Sequence, residues 1–339
     1  MRFFISNTMK KKTPYSILEL ASVAKDSTIG QTFAKSVDLA QAAERLGYTR
    51  FWLAEHHNMK SIASSATSVL IGHIAGATKK IRVGSGGIML PNHSPLVVSE
   101  QFGTLGNLYP NRIDLGLGRA PGTDQETAHA IRSDRMKAVY QFPEEVNKIQ
   151  HFFSAENKDK VRSYISEGVE MPIYILGSST DSAHVAAQKG LPYVFASHFA
   201  PAQLHKALQI YHENFQPSKY LDKPYTIAGV NVIAADTNEE AEKLSTSMLR
   251  MILGVVTGNI DYVQAPTNMT QELKESASHP SIQQMTKYAF VGNKESVKKD
   301  TKQFLEDTQV DEIIAASHIY NHQDRVKSYE IFAEIMQEL

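Results

Sequence analysis

The sequence predicts an α/β fold: a single (β/α)8 barrel with insertions, spanning residues 1–339 as one domain. Three observations point there. Short apolar runs alternate with longer amphipathic stretches, the pattern of a parallel sheet with crossover helices. Eight such runs can be counted, and eight parallel strands close a barrel. The 339 residues suit one barrel of roughly 250 residues plus insertions, and no repeat or linker divides them.

Residues 15–20 (YSILEL) read as the first strand. A helix over 32–46 follows, because Phe33, Val37, Ala40, Ala43 and Leu46 recur at helical spacing, and Gly47 ends it. Strand two is 50–54 (RFWLA), and a helix rich in small residues covers 65–78. Strand three, 81–90, carries glycines; a helix over 95–108 and strand four, 112–117 (RIDLGL), come next. From 121 the chain is polar and irregular, then helical over 134–153. Strand five, 172–176, leads to a helix over 181–189 closed by Gly190. Strand six is 192–196, followed by a helix over 201–215 and strand seven over 225–235. Thr237 caps the next helix, whose first turn is acidic as the dipole favours. Residues 257–286, rich in Asn, Gln, Ser and Thr, break the pattern and read as an insertion and mobile lid. Strand eight is 311–316 (DEIIAA), and the last helix is 322–339. Residues 1–13 read as a flexible basic lead.

Composition removes several function classes. Lys and Arg total 35 against 36 Asp and Glu, which argues against nucleic acid or an anionic membrane as the main partner. With no cysteine, a disulfide scaffold, a Cys-ligated zinc, an iron–sulfur cluster and a Cys nucleophile are excluded. Apolar residues at 42% argue against disorder. No apolar run reaches the 18 or so residues of a membrane span, and the run at 3–5 is too short for a signal peptide, so a cytoplasmic protein is expected.

In this fold the chemistry sits at the C-terminal ends of the strands. Strand two ends in Glu55, His56 and His57. Histidine suits proton transfer near neutral pH, while the spacing carries no zinc motif; a polar surface loop is the other reading. Strand three holds Gly84, Gly86 and Gly87, which calls for a bulge or for the close approach of something flat. Arg119, at the end of strand four, has a forked donor set suited to an anion or to a salt bridge. After strand five, Gly177, Ser178 and Ser179 precede a helix, which makes either a phosphate cradle or an ordinary N-cap. Together these features suit a flat, phosphorylated cofactor with a histidine beside it.

The residues A-E-H-H-N at 54–58, G-S-G-G-I-M-L-P at 84–91, R-I-D-L-G-L-G-R-A-P-G at 112–122 and A-A-Q-K-G-L-P at 186–192 resemble the bacterial luciferase-like monooxygenases. The likeness runs from Tyr15 to the last helix, and is to the oxidoreductases of that family rather than to its light-emitting subunits. The resemblance implies a (β/α)8 barrel, reduced FMN as cofactor (F420 in some branches), O2 and a small organic substrate. Electrons would come from NAD(P)H, directly or through a separate NAD(P)H:flavin reductase. It implies His56 as the catalytic group, Glu55 beside the flavin, and Gly86–Gly87 as a cis pair against the flavin ring. It places Arg119, Ser179 and Ser182 at the phosphate and Ala196 and Ser197 alongside the flavin. Gly118 stands where light-emitting relatives carry a reactive cysteine, so no thiol chemistry is implied. Arg132 and Arg135 are further phosphate candidates outside the aligned motifs. A homodimer formed through the helices at 65–78 and 95–108 is also implied, and a non-catalytic flavin-binding protein remains the alternative.

Overall fold

The computed structural model describes residues 12–120 and 122–339, so the lead read over 1–13 lies almost wholly outside the described residues. In chain order the elements are β1 (Tyr15–Glu19), α1 (Ile29–Arg45), β2 (Arg50–Leu53), α2 (Thr67–Ala77), β3 (Arg82–Ser85), β4 (Ile88–Met89) and α3 (Pro95–Leu108). Then come β5 (Ile113–Gly118), α4 (Gln125–Ile131), α5 (Arg135–Tyr140), α6 (Phe142–Phe152), β6 (Ile173–Gly177), α7 (Thr180–Lys189), β7 (Tyr193–Phe195) and α8 (Leu204–Asn214). The last are β8 (Thr226–Ala234), α9 (Asn238–Thr257), α10 (Gln271–Ala277), α11 (Pro280–Met285), β9 (Ala289–Gly292), α12 (Lys294–Thr308), β10 (Glu312–Ala316) and α13 (His322–Glu338).

Strands β1, β2, β3, β5, β6, β7, β8 and β10 form the barrel in that order, and β10 closes it by pairing with both β8 and β1. These are the eight strands that the apolar runs predict. Thr28 and Gln31 cap α1 reciprocally, which moves its start ahead of residue 32. Gly190 closes α7 in the left-handed conformation at φ 57°.

Four expectations are corrected. The strand read over 81–90 is two strands, because the Gly86–Gly87 peptide is cis and interrupts it; β4 pairs with β5 alone. The helix read over 134–153 is α5 and α6: Pro143 cannot donate a helical N–H, so the helix restarts beside it. The polar stretch before it holds α4, started by the Asp124 carboxylate accepting from Thr127 N at 2.9 Å. The helix read over 201–215 opens with a 3-10 turn at Pro201–Gln203. The segment 257–286 holds α10 and α11, whose Leu273 and Ile282 pack with Met248, Leu249 and Ile252 of α9. Residues 289–308, unassigned from sequence, are β9 and α12; β8 is long enough to pair β10 along its first half and β9 along its second.

Side chains alternate across each strand. In β8, Ala228, Val230 and Val232 join the large core between barrel and helices, whereas Ile227 joins Leu18, Trp52, Tyr174, Val194 and Ile314 inside the barrel. The N-terminal end of the barrel is closed by a buried ionic plug. Arg50 grips Glu312 at 2.8 and 3.0 Å and Asp114 at 2.9 Å, and Trp52 Nε1 donates to Asp114 at 3.0 Å. Above this plug the backbones close up: a Cβ on Gly116 would lie 2.2 Å from the Ser85 carbonyl oxygen. Gly116→Ala is therefore expected to destabilise the protein by about 1–3 kcal/mol, read as a lower urea midpoint, because a backbone atom must move. Among the described residues no helix is long and apolar enough to cross a membrane.

Candidate functional site

Counting by twos along the inward face of each strand leads to the mouth. From Trp52 it passes Ala54 to His56, from Val194 it passes Ala196 to His198, and from Ile314 it passes Ala316 to His318. Three histidines thus stand at the C-terminal end of the barrel. Beneath them several inward positions carry no side chain beyond Cβ, namely Ala54, Gly86, Gly118, Ala196, Gly229 and Ala316, and stand beside the larger Leu20, Leu176 and Asn231. A Cβ on Gly86 would lie 2.6 Å from Leu18 Cδ1, and one on Gly87 would lie 2.8 Å from the Gly116 carbonyl oxygen.

His56 is held from two sides. Its backbone N donates to the Ser64 carbonyl at 3.0 Å, and its ring Nδ1 lies 3.2 Å from the Gly122 carbonyl. A carbonyl only accepts, so Nδ1 carries the proton and Nε2 presents its lone pair. Burial lowers the ring's pKa, outweighing the Gly122 hydrogen bond and the Glu55 charge, and favours this neutral form. Gly122 has φ 66°, and a Cβ there would lie 2.7 Å from the Glu55 carbonyl oxygen, so glycine is required.

Glu55 faces away from the barrel axis and is 1% exposed. Its carboxylate accepts from His57 Nε2 at 2.9 Å, His93 Nε2 at 2.8 and 3.0 Å, Met89 N at 3.0 Å and Asn92 Nδ2 at 3.3 Å. Burial alone would push its pKa up; the bonds from His57 and His93, the His93 charge and the Met89 N–H outweigh it and hold the group at about 2. Glu55 therefore clamps the loop carrying His56 to the segment that follows Gly86–Gly87.

At the other side of the mouth, Arg119 Nη2 donates to Asp181 in the first turn of α7 at 2.6 Å. This brings Arg119 to the helix N-terminus, beside Ser178 and the N-cap Ser179, whose hydroxyl makes no capping bond. Ser182 turns inward toward the Ser179 carbonyl at 3.2 Å, and Gly177 leaves it room, since a Cβ there would sit 1.6 Å from Ser182 Oγ. Ser197 Oγ donates to the Gly229 carbonyl at 2.6 Å. The structure thus gathers Arg119, Ser178 and Ser179 but commits the Ser182 and Ser197 hydroxyls to the protein itself. Arg132 is committed to the His93 carbonyl at 2.8 Å and to Asp134, while the Arg135 side chain lies outside the described residues.

Sequence reading misses His93, His198, Asn231 and His318. Strand parity extended two residues past each strand end would have found the two mouth histidines. His93 follows a 3-10 turn and has no such signal. Among the described residues no group of three or more His, Cys, Asp or Glu is placed to hold a metal.

The profile of the luciferase-like monooxygenase family matches residues 13–330. A luciferase-like monooxygenase of Escherichia coli (strain K12) is 44% identical over 97% of this chain and 98% of its own. The N-acetyl-S-alkylcysteine monooxygenase of Bacillus subtilis (strain 168) is 32% identical over 94% of this chain and 97% of its own. Among solved structures, apo-MsnO8 superposes with a TM-score of 0.86 at 30% identity, covering 96% of this chain and 98% of its own. Two others share the fold at lower identity. The FMN complex of the oxygenating constituent of 3,6-diketocamphane monooxygenase from Pseudomonas putida has a TM-score of 0.75 at 15% identity, covering 97% of this chain and 99% of its own. An F420-dependent secondary alcohol dehydrogenase has 0.69 at 16%, covering 96% and 98%.

Proposed function

The chain belongs to the luciferase-like monooxygenase family, and from that premise we propose that it is an FMN-dependent monooxygenase that uses reduced flavin and O2 on a small organic substrate. The observation that carries this reading is the mouth itself. Inward positions lacking side chains beyond Cβ lie between His56 on one side and the Arg119–Ser178–Ser179 end of α7 on the other. A flat ring system would lie against Gly86 and Gly87, which present no side chain and whose Cβ positions are taken up by Leu18 and the Gly116 backbone. A phosphate fits the helix N-terminus, where free N–H groups and the dipole favour an anion.

When bound, reduced FMN supplies the electrons that activate oxygen; the protein supplies position, a dry site and proton handling. Arg119, Ser178 and Ser179 would hold the phosphate, with Arg119 exchanging its Asp181 partner for it. Gly86, Gly87 and Ala196 would lie along the ring. His56 Nε2 is the unprotonated nitrogen available to take a proton at the reacting edge. Glu55 acts through others, fixing the His56 loop and the glycine segment. Electrons for a bound flavin would come from NAD(P)H, directly or through a separate reductase, in a cytoplasmic protein. Val69, Val97 and Leu108 on α2 and α3 are exposed apolar side chains, which supports a homodimer through those helices.

The test is calorimetric titration of the protein with oxidised FMN, reduced FMN and F420. Binding of FMN, tighter when reduced, is the expected result. Preference for F420 would move the protein to hydride transfer, and tight FMN binding without oxygen-dependent turnover would make it a flavin-storage protein. Arg119→Ala is expected to weaken FMN about tenfold, the size of one partly exposed charge-assisted hydrogen bond. N-acetyl-S-alkylcysteines, named for the Bacillus subtilis relative, head the first substrate panel.

A further inference from the structure

Opposite the Gly86–Gly87 wall, on the sixth, seventh and eighth staves of the barrel, lie three residues that the flavin reading does not use. His198 follows β7, Asn231 lies in β8, and His318 follows β10. Asn231 pairs in register with Ala316, two residues before His318. Asn231 Nδ2 donates to the His198 carbonyl at 2.7 Å. Gly229, on the same face of β8, makes room for the His198 ring: a Cβ there would lie 2.3 Å from Nδ1.

Three polar atoms of this group are buried and unpartnered among the described residues: Nδ1 of His198, Nδ1 of His318 and Oδ1 of Asn231. A buried polar atom without a partner has given up its hydration for nothing, and native interiors hold few of them. Three on adjacent strands at the mouth mark a place built for a bound group. Their chemistry is restrictive. Asn231 has its amide orientation fixed by the Nδ2 bond, so Oδ1 only accepts, and the incoming group must bring an N–H or O–H. Among the described residues the cation that acts on His318, Arg325, is already bound to Glu19 and to the Ser317 carbonyl at 3.0 Å. Burial, with the His56 charge added, lowers His198 to about 4; burial, with the Arg325 and His198 charges, lowers His318 to about 3. Both rings are neutral at pH 7, each with one donor and one acceptor.

We propose that His198, Asn231 and His318 form the substrate-recognition subsite of the mouth, and that they take an uncharged carboxamide, with its N–H on Asn231 Oδ1 and its carbonyl oxygen on an imidazole N–H. A carboxylate or phosphate brings no donor for Asn231 and finds no positive partner. The assignment of the subsite to the substrate rests on the flavin reading of the opposite wall; its hydrogen-bonding preference does not.

The test uses the full chain labelled with 15N in its histidine rings and free of flavin, titrated with hexanamide and with hexanoate. His198→Phe and His318→Phe assign the ring signals. Hexanamide is expected to shift both ring signals and to bind at least tenfold more tightly than hexanoate. Asn231→Leu is expected to raise the hexanamide Kd about tenfold, the loss of one hydrogen bond. Hexanoate binding as tightly as hexanamide, or neither probe moving the two rings, would overturn the proposal, the latter leaving water as the occupant. If the Asn231 variant does not fold, the ring shifts of the wild-type protein still decide. A parallel FMN titration separates the two readings: ring shifts without FMN binding sink the flavin reading alone, and FMN binding without ring shifts sinks the subsite alone.

Discussion

Replacing His56 by alanine is expected to leave FMN affinity within a few-fold of wild type while lowering substrate turnover by about 10²–10⁴. The two effects separate because the ring touches no part of the Arg119–Ser178–Ser179 end, where the phosphate contributes most of its binding. Among the described residues the ring's one hydrogen-bond partner is the Gly122 carbonyl, so its removal strands a single acceptor at the edge of the mouth. What is lost is a nitrogen poised as a base: Nδ1–H is fixed on Gly122, and Nε2 is left to accept a proton. Burial is the largest influence on this ring and lowers its pKa from 6.5. The active, neutral form therefore persists to lower pH than in a free histidine, and the acid limb of the pH–rate profile should fall below 6.5. Stopped-flow turnover of wild type and variant across pH checks both statements. An acid limb above 6.5, or unchanged turnover in the alanine variant, would take the proton-transfer role away from His56.

The eight barrel staves are legible because each is an apolar run bounded by turn residues, and their number alone selects closure. The parts that escape reading have identifiable causes. β9, with the sequence AFVG, is too short to show a period, and its partner is the far half of a strand already counted. Leu273 and Ile282 are single apolar side chains in polar surroundings; they become core only because α9 offers Met248 and Ile252 to cover them. Pro143 sits inside an otherwise continuous helical pattern, and its missing N–H outweighs the periodicity. At the site, residue types at strand ends point to the mouth, but not to which atoms are already spoken for. Ser182 and Ser197 have the composition of ligand-binding residues, yet their hydroxyls satisfy backbone carbonyls that only the folded chain brings near. His198 and His318 lie past the last apolar residue of their strands, where a search for apolar runs ends before the alternation does.

Glu55→Gln should cost about 3 kcal/mol of stability near pH 6, and the loss should shrink as the solution is acidified. The carboxylate is buried and receives donors from His57, His93, Asn92 and the Met89 N–H, which hold its pKa at about 2 against 4.5 when free. A difference of that size is worth about 1.4 kcal/mol per unit. Because the folded pKa is the lower one, the stabilisation is complete above pH 4.5 and is lost as the pH falls towards 2. By pH 3 less than half of it should remain, roughly 1.4 kcal/mol. Glutamine matches the shape but turns an NH2 group toward atoms that are themselves donors, so the clamp is lost as well as the charge. Urea unfolding of wild type and variant at pH 6 and pH 3 measures the difference directly. A gap that stays constant with pH would assign the loss to packing rather than to the charge. The same variant reports on function, since Glu55 joins the His56 loop to the segment after Gly86–Gly87 without facing the mouth. Weaker FMN binding in Glu55→Gln, with His56 intact, would show that the clamp shapes the cofactor wall; unchanged binding would confine Glu55 to stability.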